Sequence, residues 1–127
     1  MQTEQTRIAL KRDQNACRYC LWKHNKLRHV FGYVPGYHPL AGGGHHLAGR
    51  RRVDEADCIV GLCPRCHTLA ESHKIPAAEL VALLSMIVGY SVFEKYRREW
   101  KFTEEEFNQH YDPNHTEKLE IRASDFD

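Results

Sequence analysis

Two C-x-x-C pairs and one histidine doublet carry most of the chemistry available to this 127-residue chain. Cys17 and Cys20 form the first pair ("NACRYC") and Cys63 and Cys66 the second ("LCPRCH"), with Cys58 left over. A two-residue gap lets the chain turn back so that both thiolates reach one ion. In a short intracellular chain such pairs read as a tetrahedral structural zinc site sooner than as disulfides. The 42 residues between Cys20 and Cys63 exceed the usual zinc-ribbon gap, so a further element must be folded inside the clamp. "GGGHHLAG" lies there. Neighbouring strand residues point to opposite faces, so His45 and His46 rarely share one packing purpose. They suit two chemical purposes, one holding a metal and one moving a proton.

The elements that must position these residues follow from local pattern. "TEQTRIALKRDQ" reads as a short helix feeding the first cysteine pair. "LWKHNKLRHVFGYVPGYHPL" interleaves basic residues with Trp22, Phe31, Tyr33 and Tyr37, and reads as loop and short strands ended by Pro35 and Pro39. The histidine doublet falls at a strand end, and the loop "LAGRRRVDEAD" follows it. "CIVGLC" is a short apolar run, the expected second strand. "PRCHTLAESHK" reads as a helix with Pro64 in its first turn, where a missing amide proton is harmless. From Pro76 onward Leu80, Leu83, Leu84, Ile87 and Tyr90 repeat at helical spacing, and Phe93, Tyr96 and Trp100 extend the rhythm. This is one long helix, or two with a break at Gly89. It reads as core packing over the cysteine module. It is apolar nearly all round, so a dimer contact is a second use. Thr103 is a plausible helix cap. The division expected is 1–76 for the cysteine-clamped module and 77–127 for a helical extension with an acidic tail, the two packed as one compact domain.

The net charge of +1 hides an asymmetry. Residues 1–52 hold ten Lys/Arg against two Asp/Glu, whereas residues 103–127 hold two against eight. The basic part leads into the histidine pair and suggests an anionic partner, nucleic acid first. The acidic tail suits shielding of that surface or contact with a protein. The opening "MQTEQTRIALKRD" is polar and charged and does not read as a signal peptide, and "LVALLSMIVGY" is too short to span a bilayer. A soluble, cytoplasmic protein is expected.

In this order "CRYC", "HHLAGR", "LCPRCH" and a later histidine resemble the HNH endonuclease family, the ββα-metal nucleases, in its cysteine-clamped form. The resemblance covers roughly residues 17–73. It implies an α+β fold: two antiparallel strands and a helix gripping one divalent ion, stapled by a four-cysteine zinc site, with helices at either end of the chain. The implied activity is hydrolysis of DNA phosphodiesters. In members with a histidine doublet the first histidine is a metal ligand and the second the general base, which makes His45 the ligand and His46 the base. The histidine that follows the second C-x-x-C also binds the metal, which points to His67. A further histidine about one turn later often completes the site. His73 is the candidate, although six residues correspond to about 600° of helix rotation, so the helix would have to end or distort first. The family's middle asparagine should lie nine residues before His67, at Cys58. Asp57, one residue earlier, could supply a carboxylate to a hard cation instead. The small form also resembles phage-encoded nucleases that act within the host cell.

The chemistry explains why these types are needed. The attacking water must lose a proton, and a neutral imidazole suits that near pH 7. A divalent ion (zinc, nickel, manganese or magnesium) would offset charge on the phosphate and the leaving oxygen. Arg50, Arg51 and Arg52 follow the base within a few residues and could clamp phosphates. Gly42 to Gly44 could let the backbone approach DNA. Two other classes fit the same residues. One is a non-catalytic, zinc-stapled DNA-binding module. The other is an adaptor, a homodimer or partner-binding protein that uses the apolar helix and acidic tail.

Overall fold

A computed structural model describes residues 3–24 and 43–117. The "GGHH" segment forms strand β1 (Gly43–His46), and "IVGL" forms strand β2 (Ile59–Leu62). They pair antiparallel with Gly44 opposite Gly61, His45 opposite Val60 and His46 opposite Ile59. Helix α1 (Glu4–Arg12) precedes them, then α2 (Arg18–His24). After β2 come α3 (Pro64–Glu71), α4 (Ala77–Val88), α5 (Val92–Lys95) and α6 (Glu104–Asn108). The arrangement is a small α+β fold, with strand, strand and helix consecutive from β1 to α3.

A two-stranded sheet is marginal alone, and here the free edge of β2 is sealed. All four residues of β2 are buried. On the edge that β2 does not share with β1, the Gly61 amide donates to Asp13 Oδ2 at 2.9 Å. Arg12 grips the same carboxylate with two bonds of 2.8 Å and donates to the carbonyls of Ala56 and Ile59, each at 2.7 Å. The end of α1 therefore does for β2 what a third strand would do. Asp13 is fully buried, which is tolerable because its charge is paired and its oxygens accept hydrogen bonds. Thr3 caps α1, its hydroxyl accepting from the Thr6 amide at 3.1 Å. The helix stops at Asp13 because Gln14 and Asn15 turn left-handed, with φ of 51° and 55°.

α1 lies directly on β1. A methyl at Gly44 would stand 2.7 Å from Ile59 Cγ2 and 2.9 Å from Thr6 Cγ2. The glycine is thus needed for helix–strand packing inside the protein, a different reason from the approach to DNA expected of it. Gly43 has open space on that side, and Gly42 lies outside the described residues.

The sequence-expected helix after Pro76 does divide at Gly89, which caps α4 at φ +88°. Every residue from Ala78 to Met86 is buried. One cluster joins Cys17 and Cys63 to Leu80, Val81, Phe93 and Phe107, so the cysteine module and the later helices share a core. The all-round apolar pattern of α4 is accounted for by burial within the chain itself. Phe93 stacks on Phe107 at 5.1 Å, and Phe107 on Tyr111 at 4.8 Å, which fastens α5 and α6 to the core. Residues 21–24, expected in loop or strand, belong to α2. The strands and aromatics expected from Phe31 to Tyr37 lie outside the described residues, as does the acidic tail from residue 118. No helix among the described residues is long and apolar enough to cross a membrane.

Outside the core, Asp57 fastens α5 to the short 3-10 turn Ala56–Cys58: it accepts bonds from the Tyr90 and Tyr96 hydroxyls and from Lys95 Nζ. Partial burial pushes its carboxyl up, but these donors outweigh that and hold it below the usual range. A depressed carboxyl stabilises the fold above its ordinary pKa, and the gain is lost as pH falls through the folded-state value.

Two outcomes follow. Gly44→Ala should lower stability by about 1–3 kcal/mol in denaturant unfolding, while Gly43→Ala should stay within about 0.5 kcal/mol. Asp57→Asn should lower Tm by roughly 3–6 °C at pH 7 and make the drop in Tm between pH 7 and pH 3 smaller than in the parent.

Candidate functional site

Cys17 lies just before α2 and Cys20 within it, while Cys63 caps α3 and Cys66 lies in its first turn. Cys63 Sγ accepts from the Cys66 amide at 3.5 Å, the knuckle that a two-residue gap allows. The four buried sulfurs lie within 4.8 Å of one another, with Cys20 at 3.6 Å from Cys66 and 4.0 Å from Cys63. Tetrahedral thiolate ligation implies sulfurs about 3.8 Å apart. These four residues can therefore hold one metal ion. Hydrogen bonds from Cys17, then Cys20 and Cys66, drive the Cys63 thiol far below its ordinary range. Those to Cys17, Cys63 and Cys66 drive Cys20 far above it. So crowded a set can ionise together only around a cation.

The clamp fixes α3 against the end of β2, which brings the second turn of α3 beside β1. The imidazoles of His45 and His67 meet there, ring centres 5.0 Å apart at 73°. Burial first, and the neighbouring His67 second, bring the His45 pKa down to about 4, so the ring is neutral with a lone pair to offer near pH 7. His67 Nε2 lies 3.0 Å from Glu71 Oε1, one helical turn on.

His46, the next strand residue, has a separate partner. Its Nε2 lies 2.9 Å from Asp54 Oδ1, and its side chain is 12% exposed. Asp54 also accepts from the Thr3 hydroxyl at 3.0 Å, so the cap of α1 holds the carboxylate in place. The His46 bond, helped by Thr3 and the nearby Arg50 charge, keeps the Asp54 carboxyl below its usual range. A carboxylate on Nε2 favours a proton there. Each of His46 and His67 therefore has an acidic partner at one ring nitrogen.

The structure does not gather every residue singled out in the sequence. Asp57 is engaged by Tyr90, Tyr96 and Lys95, so its carboxylate serves α5 and not the histidine pair. α3 ends at Glu71, and His73 turns left-handed at φ +61°, its amide bonded to Ala70 O at 3.1 Å and the Lys74 amide to Leu69 O at 2.9 Å. This is a Schellman ending, and it places His73 at a groove that Leu47 and Trp100 also line. Among the described residues, the four cysteines alone bring three or more His, Cys, Asp or Glu ligand atoms close enough for one ion. Arg50, Arg51 and Arg52 are exposed on the turn after Gly49, with Arg52 Nε 2.8 Å from Glu99 Oε2. Cys58 is fully buried at the foot of β2. Its carbonyl accepts from the Leu47 amide at 3.0 Å, and its sulfur is bonded by the Ala48 amide. Burial pushes the thiol up to about 12, so it stays protonated.

Asp54 and Glu71 were not anticipated. Glu71 was visible in principle, because His67 and residue 71 stand at i, i+4 on a helix. Asp54 was not, since its partners Thr3 and His46 come from different elements. No protein-family model matches the chain, no curated protein is significantly similar to it in sequence, and no solved structure is significantly similar in fold.

Metal analysis tests the cysteine cluster directly. The purified protein should carry one tightly held metal ion per chain, and Cys63→Ser should lose it. Stripping the ion with a chelator should collapse the near-ultraviolet circular dichroism signal, because binding energy at such sites is folding energy.

Proposed function

We propose that the chain is a metal-dependent endonuclease of the HNH, ββα-metal kind that hydrolyses DNA phosphodiesters. The observation that carries this is the division of the doublet: His46 is paired with Asp54, while His45 faces His67 across the strand–helix junction. A base and a ligand pair are thereby held one strand residue apart. In this reading the cysteine cluster holds a structural zinc, since four buried thiolates in tetrahedral array favour that ion. His45 and His67 offer imidazole nitrogens to a second divalent ion, which when bound would neutralise charge on the phosphate and leaving oxygen. Asp54 keeps the Nε2 proton on His46, and Nδ1 takes a proton from the attacking water. Glu71 keeps the Nε2 proton on His67, so that Nδ1 remains to bind. Arg50 and Arg51, exposed beside this strand end, meet the DNA backbone.

The second reading is a zinc-stapled DNA-binding module without catalysis. It is favoured by the engagement of Asp57 and His73 elsewhere, which leaves the histidine pair without a third close ligand among the described residues.

Incubation with supercoiled plasmid, with magnesium, manganese, nickel or zinc added singly, separates the two. The nuclease reading expects metal-dependent nicking that falls roughly 100- to 10,000-fold in His46→Ala and about 10- to 100-fold in Asp54→Asn. Retardation of the plasmid on a gel by parent and variants alike, with no nicking, would leave only the binding module.

A further inference from the structure

A groove of about 560 Å³ opens beside the loop that leaves β1. That size lies within the roughly 300–1,000 Å³ typical of small-ligand sites. One wall is Leu47 and Ala48, the two residues after His46, so at most roughly 7 Å of chain separates the wall from the candidate base. The opposite wall is aromatic. Trp100 and Phe102 stack at 5.5 Å and 26°, and the indole is locked by its N–H donating to the Phe93 carbonyl at 3.0 Å. The lining carries both signs: Arg52 and Glu99, paired with each other at 2.8 Å, and Lys101 and Glu106.

His73, the left-handed residue that ends α3 at φ +61°, also lines this groove.

We propose that this groove receives a nucleobase of the strand being cut, on the nucleotide next to the phosphate at His45 and His46. The occupant must have flat apolar faces to lie on Trp100 and Phe102, and an edge bearing both donors and acceptors to match the rim. A nucleobase has both. An aliphatic side chain has no such edge, and a bare phosphate would meet Glu99 and Glu106. An extruded or single-stranded base reaches the groove, whereas a base stacked in intact duplex does not. The site therefore favours unpaired DNA. This rests on the nuclease reading for the position of the phosphate, but the groove itself can be tested apart from it.

Two probes suffice: a short single-stranded oligodeoxynucleotide compared with its fully abasic counterpart, and free deoxyadenosine monophosphate. Both are titrated into His46→Ala protein, which cannot degrade them, with indole fluorescence as the readout. The proposal expects the base-bearing strand to bind roughly tenfold tighter than the abasic one, with quenching that is lost in Trp100→Phe. Lys101→Ser, on the exposed rim, should weaken binding several-fold at unchanged Tm, which keeps the test valid if Trp100→Phe folds poorly. Equal affinity for the two strands with no response to the mononucleotide would overturn the base site, even if the parent nicks plasmid. Quenching through Trp100 by a parent that cuts no plasmid would sustain the groove while removing the nuclease reading.

Discussion

The Cys20 and Cys66 sulfurs lie 3.6 Å apart although 45 residues intervene between them in the chain. That closure ties α2 to the start of α3, and the meeting of His45 with His67 depends on it. α3 has only eight residues and β1 and β2 four each, lengths that cannot hold a fixed angle by themselves. With its first turn pinned by Cys63 and Cys66, α3 presents His67 to β1, and His45 meets it there. On the opposite edge of β2, Arg12 and Asp13 perform the complementary task. They satisfy the backbone groups of Ile59 and Gly61 that a third strand would otherwise take. The hairpin is thus held at one end by sulfur and along one edge by a half-buried ion pair.

Strand alternation then separates two side chains that are neighbours in the chain. His45 pairs across the hairpin with Val60 and His46 with Ile59, so the two rings leave opposite faces of β1. One face looks to α3 and the other to the loop and the cap of α1. The same threonine that begins α1 holds Asp54, so the helix that seals the sheet also positions the carboxylate on His46 Nε2. Fold and candidate chemistry share atoms here. A helix insert or a slip of α1 by one residue would disturb both.

Much of this was legible from local signals. The limits of α1, α3 and α4 follow Thr3, Pro64 and Gly89, residues whose preferences are set by the backbone alone. The cysteine cluster was legible because a C-x-x-C knuckle is a local geometry repeated twice. What was not legible came from tertiary choice among equivalent residues. "DEAD" offers three carboxylates in four positions, and only the packing of α1 and α5 decides that Asp54 meets His46 while Asp57 meets Lys95. His73 looked like a ligand by type and order. Six residues already put it off the face of His67 in a regular helix, and the helix does end before it, but the Schellman ending turns His73 elsewhere, through the bonds of the His73 and Lys74 amides to Ala70 and Leu69. The apolar girth of α4 read first as core packing and second as a seam for a partner, and its burial among α2, β2, α5 and α6 accounts for the pattern from within.

The five cysteines illustrate how burial without change of residue type produces two kinds of sulfur. Four are crowded, compete for protons and together invite a cation. The fifth, Cys58, is equally buried but stands apart from that set; desolvation pushes its thiol up to about 12, and the Ala48 amide is its hydrogen-bond partner. A neutral thiol is a poor metal ligand, so Cys58 does not compete with the cluster for its ion. What it does is tie the loop after His46 to the foot of β2, through its sulfur to Ala48 and through its carbonyl to Leu47. An asparagine would make such bonds with an amide. The need at this position is an acceptor facing the 47–48 backbone, and a protonated sulfur meets it, weakly but without adding charge beside the His46–Asp54 pair.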